Sequence, residues 1–448
     1  MEFVTGIESY LESGLLPYYY AIGIMLALYI LQKFRFNKEA IFIVVVFYEG
    51  FFHYLSNYAE LFEEIYKIGI VLFSFFLFFN NYLKIKKNKY EQLFSFLFFI
   101  IGFLYILSIF VNEDSILMNL SQYLRYYGVP FLFYFGVKKY RYSKIKMEWY
   151  AKLFIWLLMI QIILNVCKYF LFGFGESLVG SISYRGGAPG NVIPVLGFFL
   201  IWIRTKGILK KRDWVFVILL FLSMAIIGNK RSVWFTMSFM MIYTFFVAGG
   251  YSMQIGKLLK YSPLVILLFW VGVKSNPSLN PEQSRWGTFD INYVYTYASS
   301  YLFGEKDSEE YMSHGRGGAN VYYFNNVLTD LNTSKGYLGY GVEEIKTMGY
   351  EQFSEKVDHT YTGGVSAFVS NFIMLGLIGT ISIFLFGALI ARQTKNNKFF
   401  FGLLAFLAFD YFLFYNSTIK INADALLFVF VAFYYNSKFE RIKKRKNG

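Results

Sequence analysis

Cysteine, histidine, proline and charge are all scarce in this chain of 448 residues. The single cysteine, Cys167, excludes an intramolecular disulfide and a metal site built from cysteines. Histidine occurs only at His53, His314 and His359, so a site with three histidine ligands would need all of them. Charged residues make up 16% of the chain, a smaller share than a soluble domain of this length carries.

Apolar residues fill the chain instead, since 56% of it is hydrophobic and 22% is aromatic. They come in runs that can cross a hydrocarbon core of about 30 Å as helix, separated by short charged clusters. The sequence therefore predicts an all-α, polytopic membrane protein with about thirteen transmembrane helices. The N-terminus is acidic, so we expect the first span to remain as a helix and not to be cleaved as a signal peptide. The predicted spans lie near residues 15–32, 40–55, 65–83, 92–111, 117–137, 150–174, 191–203, 214–228, 233–250, 259–273, 364–391, 399–415 and 424–437.

Lysine and arginine cluster in alternate connections between these spans. The basic connections are residues 33–38, 84–89, 138–146, 204–212, 257–260, 392–398 and the C-terminal tail. Basic connections face the cytoplasm, so the pattern predicts that the N-terminus lies outside and the C-terminus inside. The net charge of +14 is explained in the same way, because the basic residues form no stripe or motif of a nucleic-acid-binding protein.

One long connection divides the chain into three parts. Residues 1–273 hold transmembrane helices 1 to 10, and residues 363–448 hold helices 11 to 13 and a basic cytoplasmic tail. Residues 274–362 form a large extracytoplasmic loop, with twelve acids against seven bases. Within it, residues 320–329 and 342–356 are expected to form short helices, and the many tyrosines favour an ordered cap over a linker.

Two cations at the predicted outer ends of spans run against the positive-inside trend. Lys230 and Arg231 lie in the sequence Gly-Asn-Lys-Arg-Ser between two apolar runs. A buried cation costs a few kcal/mol in the bilayer, so the pair is expected to have an anionic partner or a water-filled cavity. Phosphate suits a guanidinium beside a helix N-terminus. The alternative is that both side chains extend to the outer lipid headgroups.

Further cations lie on the same predicted side. Arg125 is in the fifth span, Lys168 is near the outer end of the sixth, and Arg185 follows it. Together they would line one anionic cavity. The alternatives are an ion pair of Arg125 with a structural carboxylate, Glu49 or Asp410, and a solvated turn for Arg185.

The long loop adds one candidate base and two glycine-rich stretches. His359 precedes the eleventh span, where an imidazole can act as general base on a hydroxyl or serve as a structural hydrogen-bonding residue. Residues 314–318 and 336–341 are rich in glycine, but neither is a P-loop, because no Gly-Lys-Ser or Gly-Lys-Thr follows. We expect tight backbone turns there, with Arg316 presented from the first.

Three landmarks, taken in order, resemble the O-antigen polymerase and ligase family of bacterial surface-polysaccharide enzymes (the Wzy and WaaL type). The first is the segment around Arg231, which looks like the family's Ser-Arg-Gly-like segment, with Lys-Arg-Ser in its place. The second is Arg316 followed by the turn at 337–341. The third is His359 followed by Gly-Leu-Ile-Gly at 376–379, although Thr360 stands where asparagine is common in the family.

The resemblance implies a metal-independent glycosyltransferase, without a cofactor, in the bacterial inner membrane. It would act as a polysaccharide polymerase that joins repeat units carried on undecaprenyl pyrophosphate at the outer face, with a chain-length regulator as a further partner. Arg231 and Arg316 would hold the pyrophosphate as it leaves, and His359 would deprotonate or orient the acceptor hydroxyl. The residues expected to add to substrate binding are Lys230, Arg125, Arg185 and Arg285.

Three other readings remain open. A ligase of the same fold would transfer the glycan to another acceptor with the same charges. A polysaccharide flippase or other transporter would have a similar number of spans but no need for the long loop. A sugar transferase dependent on a divalent metal would use acids of the early outer loops, Glu60, Glu63 or Glu113, which are also explained as solvated loop ends.

Overall fold

The computed structural model describes most of the helical bundle and parts of its connections. The described residues are 14–55, 59, 61–172, 180–182, 189–207, 209–228, 233, 263, 266–267, 269–276, 279–284, 286–303, 333–341, 366–413, 418–419 and 421–446. Within these residues all regular secondary structure is helical, which confirms the all-α class for this part of the chain. The α-helices are α1 Leu16–Lys33, α2 Lys38–Phe47, α3 Glu49–Leu55, α4 Leu61–Lys84, α5 Lys89–Asn112, α6 Ile116–Tyr123, α7 Val129–Lys139, α8 Lys144–Phe172, α9 Pro189–Arg204, α10 Lys211–Leu222, α11 Ile291–Phe303, α12 Ser334–Leu338, α13 Ala367–Ala391, α14 Asn397–Leu413 and α15 Asn422–Lys446.

Short polar residues between the apolar runs begin several of these helices. Asn88 and Glu91 form a reciprocal cap at the start of α5, in which each side chain accepts a hydrogen bond from the other's backbone N–H. Ser115 and Ser366 accept backbone hydrogen bonds at the starts of α6 and α13. Such caps satisfy N–H groups that the first turn of a helix leaves without a partner. The same residues that break the apolar runs therefore set where the helices start.

The last helix, α15, lies in the interior of the bundle. Its residues from Ala423 to Tyr434 are buried around the whole circumference, and it packs against α2, α7, α8, α9 and α13. Phe430 stacks on Phe154 of α8 at 5.0 Å between ring centroids. A helix that is apolar on all sides is a buried helix, which explains why the final apolar run supplies the centre of the core.

The lysine- and arginine-rich helix termini meet at one end of the bundle, here called the basic end. Lys146 pairs with Glu39, Lys138 pairs with Glu91 at 2.5 Å, and Lys438 pairs with Glu148. These pairs join the termini of α2, α5, α7, α8 and α15. The starts of α13 and α15 and the ends of α3, α5 and α8 therefore lie towards the opposite end, here called the far end.

The helices follow the predicted apolar runs. Three of them, α5, α8 and α13, are 24, 29 and 25 residues long and apolar enough to cross a membrane, and α9 is a shorter apolar helix. The predicted span at 40–55 is divided into α2 and α3 at Tyr48. The predicted spans near 233–250 and 259–273 lie largely outside the described residues. The number of spans and their direction stay predictions.

The long connection contains a helix that the sequence did not predict. Residues Ile291–Phe303 form α11, and a second, one-turn helix is α12. Tyrosine and serine supply six of the thirteen residues of α11, so no long apolar run marks it. The two short helices that we expected at 320–329 and 342–356 lie outside the described residues.

Candidate functional site

Of the seven candidate site residues, Arg125 alone lies in the described part of the chain. The other six lie outside the described residues, and their roles stay predictions. They are Arg185, Lys230, Arg231, Arg285, Arg316 and His359. The described residues include segments next to Arg185, Lys230, Arg231 and Arg285.

Arg125 lies in a π-helical segment, Leu124–Gly128, between α6 and α7. Pro130 follows at the start of α7 and has no N–H to donate, which favours a local change in the hydrogen-bond ladder. A π segment inserts an extra residue into a helix and is common at functional sites. The segment turns Arg125 into the bundle, where its side chain is 11% exposed.

The Arg125 guanidinium forms an ion pair with Glu49 at the start of α3. Glu49 is also hydrogen-bonded by the Tyr66 hydroxyl at 3.3 Å, and the Nε2 atom of His53 lies 3.7 Å from it. The ion pair of Arg125 with Glu49, which the sequence offered as an alternative to an anionic cavity, is therefore present. The Nε atom of Arg125 has no hydrogen-bond partner within the described residues. The contribution of Arg125 to substrate binding stays a prediction.

Further charged side chains lie close to this pair, at the start of α4. Glu63 lies 3.8 Å from His53 and 2.9 Å from Lys67, which also pairs with Glu64. Glu63 is one of the acids that a metal-dependent transferase would use, and here it is paired with a lysine. No group of three or more histidine, cysteine, aspartate or glutamate side chains among the described residues is arranged to hold a metal ion.

A three-residue segment, 180–182, is inserted between α8 and the junction of α2 with α3. The Ser181 hydroxyl donates to the Phe47 carbonyl at 2.7 Å, and the Ser181 carbonyl accepts from the Gly50 N–H at 3.0 Å. Gly180 has a positive φ of 54°, and a Cβ there would lie 1.9 Å from the Gln161 side-chain oxygen. The segment thus ties the backbone next to Glu49 to α8, three residues before Arg185.

One face of α8 carries the polar residues Gln161, Asn165 and Lys168 within an otherwise apolar helix. Gln161 accepts from the Ser181 N–H and Asn165 from the Gly180 N–H, both at 2.9 Å. The Lys168 side chain lies one turn further towards the far end and is fully buried. These three residues form the α8 polar face.

The α8 polar face also contacts the element that leads into Lys230 and Arg231. The Asn165 amide donates to the Met224 sulfur at 3.3 Å. Met224 lies in a second π-helical segment, Ser223–Ile227, which follows α10 directly. The described chain continues to Gly228, two residues before Lys230. The face therefore joins the segment that leads into Arg185 to the segment that leads into Arg231.

Two glycine-rich landmarks from distant parts of the sequence meet at the far end. The Tyr340 N–H donates to the Ile373 carbonyl, and Gly339 packs against the backbone of Met374 and Leu375. Gly376 lies on the α13 side of this contact, and its φ of 63° interrupts the helix. A Cβ on Gly376 would lie 2.2 Å from the Tyr337 carbonyl carbon. Part of the long connection is thus docked on the helix that follows it. Of the turn expected at 336–341, residues 339–341 form a bend with positive φ at both glycines, while residues 336–338 belong to α12.

The turn that flanks Arg285 is held by side chains on both sides of it. Asn280 donates to the Ser284 carbonyl at 2.7 Å and accepts from the Ser284 N–H at 3.1 Å. Glu282 accepts hydrogen bonds from the Thr288 N–H and hydroxyl, which lower the pKa of this exposed carboxyl. These contacts hold residues 279–284 and 286–290 in place immediately before α11.

Comparison with known proteins finds no relative of this chain. No protein-family model, no curated protein and no solved structure matches the chain.

Proposed function

We propose that the chain is a metal-independent membrane glycosyltransferase, a polysaccharide polymerase that joins glycan repeat units carried on undecaprenyl pyrophosphate. It acts at the outer face of the bacterial inner membrane, which it crosses about thirteen times with its N-terminus outside. The basic end is then cytoplasmic and the far end extracytoplasmic. The gathering of the basic termini at one end of the bundle supports this orientation.

The observation that carries the proposal is the α8 polar face at the far end. It holds the buried Lys168 and contacts both segments that lead to the predicted cations. The segments lead to Arg185, Lys230 and Arg231, and several cations clustered at the outer ends of helices suit an anionic ligand. A lipid pyrophosphate is such a ligand. Arg231 and Arg316 would bind it, assisted by Lys230, Arg125, Arg185 and Arg285.

The chemistry is a displacement at the anomeric carbon. The acceptor hydroxyl oxygen forms the new bond, and the undecaprenyl pyrophosphate leaves with the electron pair of the old one. His359 takes the hydroxyl proton, while the guanidinium groups stabilise the charge that develops on the leaving group. The packing of Gly339 and Gly376 supports a contribution of the long connection to this site, because it fixes residues 337–341 on the helix that follows His359.

Replacing Arg231, Arg316 or His359 by alanine is expected to reduce polymerisation about 100- to 1,000-fold each, the cost of losing one transition-state contact. The measurement is the size of the surface glycan on a gel, in the source strain with its own copy deleted and each variant supplied at equal amount. Arg212→Ala is the control, since its side chain is 81% exposed at the basic end. Normal chain length in all three site variants would contradict the site assignment.

Two single-cysteine variants test the orientation. In a Cys167→Ala background, Ile116→Cys marks the far end and Tyr142→Cys the basic end, and both native side chains are well exposed. A membrane-impermeant maleimide is expected to label Ile116→Cys in intact spheroplasts and Tyr142→Cys only after lysis. The reverse pattern would place the far end in the cytoplasm, away from the lipid-linked substrate.

A further inference from the structure

A buried carboxyl without a partner lies at the start of α15. The Asp424 side chain is fully buried, and neither of its oxygens has a hydrogen-bond partner among the described residues. The amide of Asn422, at the first position of the same helix, is equally buried and has no partner within the described chain. Asp424 therefore differs from the other buried acids of the bundle, each of which has a compensating group.

The ionisable neighbours of Asp424 among the described residues are both acids. They are Asp410 and Glu49. Glu49 is neutralised by Arg125. Asp410 is compensated by Thr418, whose N–H and hydroxyl both donate to one of its oxygens. The other charged groups of α15, such as Lys438 with Glu148, lie at the basic end.

Burial and like charge act together on this side chain. An isolated carboxylate taken out of water loses its hydration, and in proteins such a group takes up a proton instead. A second acid nearby adds to this cost, because two carboxylates close together repel each other when both are charged. Asp410 accepts hydrogen bonds from Thr418, whereas Asp424 has no hydrogen-bond partner among the described residues. The N-terminus of α15 favours a negative charge on Asp424, but this effect is much weaker than the cost of dehydrating the charge.

We propose that Asp424 is a proton-binding site, a neutral carboxylic acid in the interior of the bundle at neutral pH. Its O–H and the amide of Asn422 are then two buried, uncharged hydrogen-bonding groups near the start of α15. A metal cation is the less suitable occupant, because the described acids supply no third carboxylate arranged to complete its ligand shell. This inference does not depend on the proposed glycosyltransferase activity.

Infrared spectroscopy tests the proposal on the full-length protein in detergent. A protonated carboxyl absorbs in a C=O region separate from that of a carboxylate. The difference between wild type and Asp424→Asn at neutral pH is expected to contain one such band. Absence of the band would overturn the proposal, and so would its loss on addition of millimolar Na⁺, which would assign the site to a metal cation.

Thermal unfolding of the same two proteins provides a second measurement. Asp424→Asn exchanges one neutral group for another of the same shape, so its unfolding temperature at neutral pH is expected to match that of the wild type. An infrared band that disappears in the variant together with an unchanged unfolding temperature supports the neutral acid. A drop of many degrees would overturn it, because it would show that the folded protein relies on the charge.

Discussion

Replacing Glu49 by glutamine is expected to destabilise the folded bundle by about 3 to 5 kcal/mol, the cost of leaving one member of a buried ion pair without its partner. The Arg125 guanidinium has no other carboxylate partner among the described residues, and its side chain is only 11% exposed. Tyr66 would also lose the charged acceptor of its hydrogen bond. Of the substitutions considered for stability, this one has the largest expected effect.

Thermal unfolding in detergent, followed by size-exclusion chromatography, measures the loss. Glu64→Gln is the matched control, because this glutamate also pairs with a basic residue but its side chain is 52% exposed, so we expect a cost under about 1 kcal/mol. The double variant Glu49→Leu with Arg125→Met removes both charges and should recover most of the stability. A Glu49→Gln protein as stable as the Glu64→Gln protein would show that the pair does not hold the bundle.

Alanine at Gly376 is expected to release the docked part of the long connection, at a cost of about 2 to 4 kcal/mol. Its left-handed backbone strains any residue with a side chain, and the added Cβ would overlap the Tyr337 carbonyl. Gly339→Ala should act in the same way from the other side of the contact, since its φ is 86°. Both variants should also lose polymerisation if the docked loop completes the proposed site.

Hydrogen exchange of the peptide that contains Tyr340 reports this contact directly. The Tyr340 amide is hydrogen-bonded to Ile373, so its exchange should accelerate strongly in Gly376→Ala. Gly69→Ala is the control: a Cβ there meets nothing within 4 Å, and alanine in a helix interior is favoured over glycine by about 1 kcal/mol. Unchanged exchange in Gly376→Ala would mean that the two glycines do not hold the loop.

Hydropathy was sufficient to locate the long apolar helices among the described residues, because a helix that crosses a hydrocarbon core needs an apolar run of nearly fixed length. It could not reveal the break at Tyr48 or the π segment that contains Arg125. These features change the register of the hydrogen-bond ladder within a run and leave its hydropathy unchanged. The helix Ile291–Phe303 was missed for another reason: of its described side chains it buries only Val294, against Val273 and Leu279, so no long apolar run marks it.

The site could be predicted only in part. Glu49 was one of two carboxylates considered for Arg125, because an arginine within an apolar run needs an acid from another span. The sequence offered no basis for predicting the contact between the Gly339 and Gly376 segments beyond the glycines in both. No sequence spacing relates two glycines that lie far apart in the chain. Asp424 was passed over because it stands at the boundary of the last apolar run, where an acid is ordinarily solvated. Only the central position of α15 shows that this boundary is buried.

The most direct test of polymerase activity uses the purified protein in liposomes. Lipid-linked single repeat units, extracted from the source strain after deletion of the protein, are added together with a chelator of divalent metals, and the products are sized on a gel. The account predicts a ladder in which each step adds one repeat unit, absent from a protein with Arg231, Arg316 and His359 all replaced by alanine. Products that remain single units, with or without transfer to another acceptor, would contradict it.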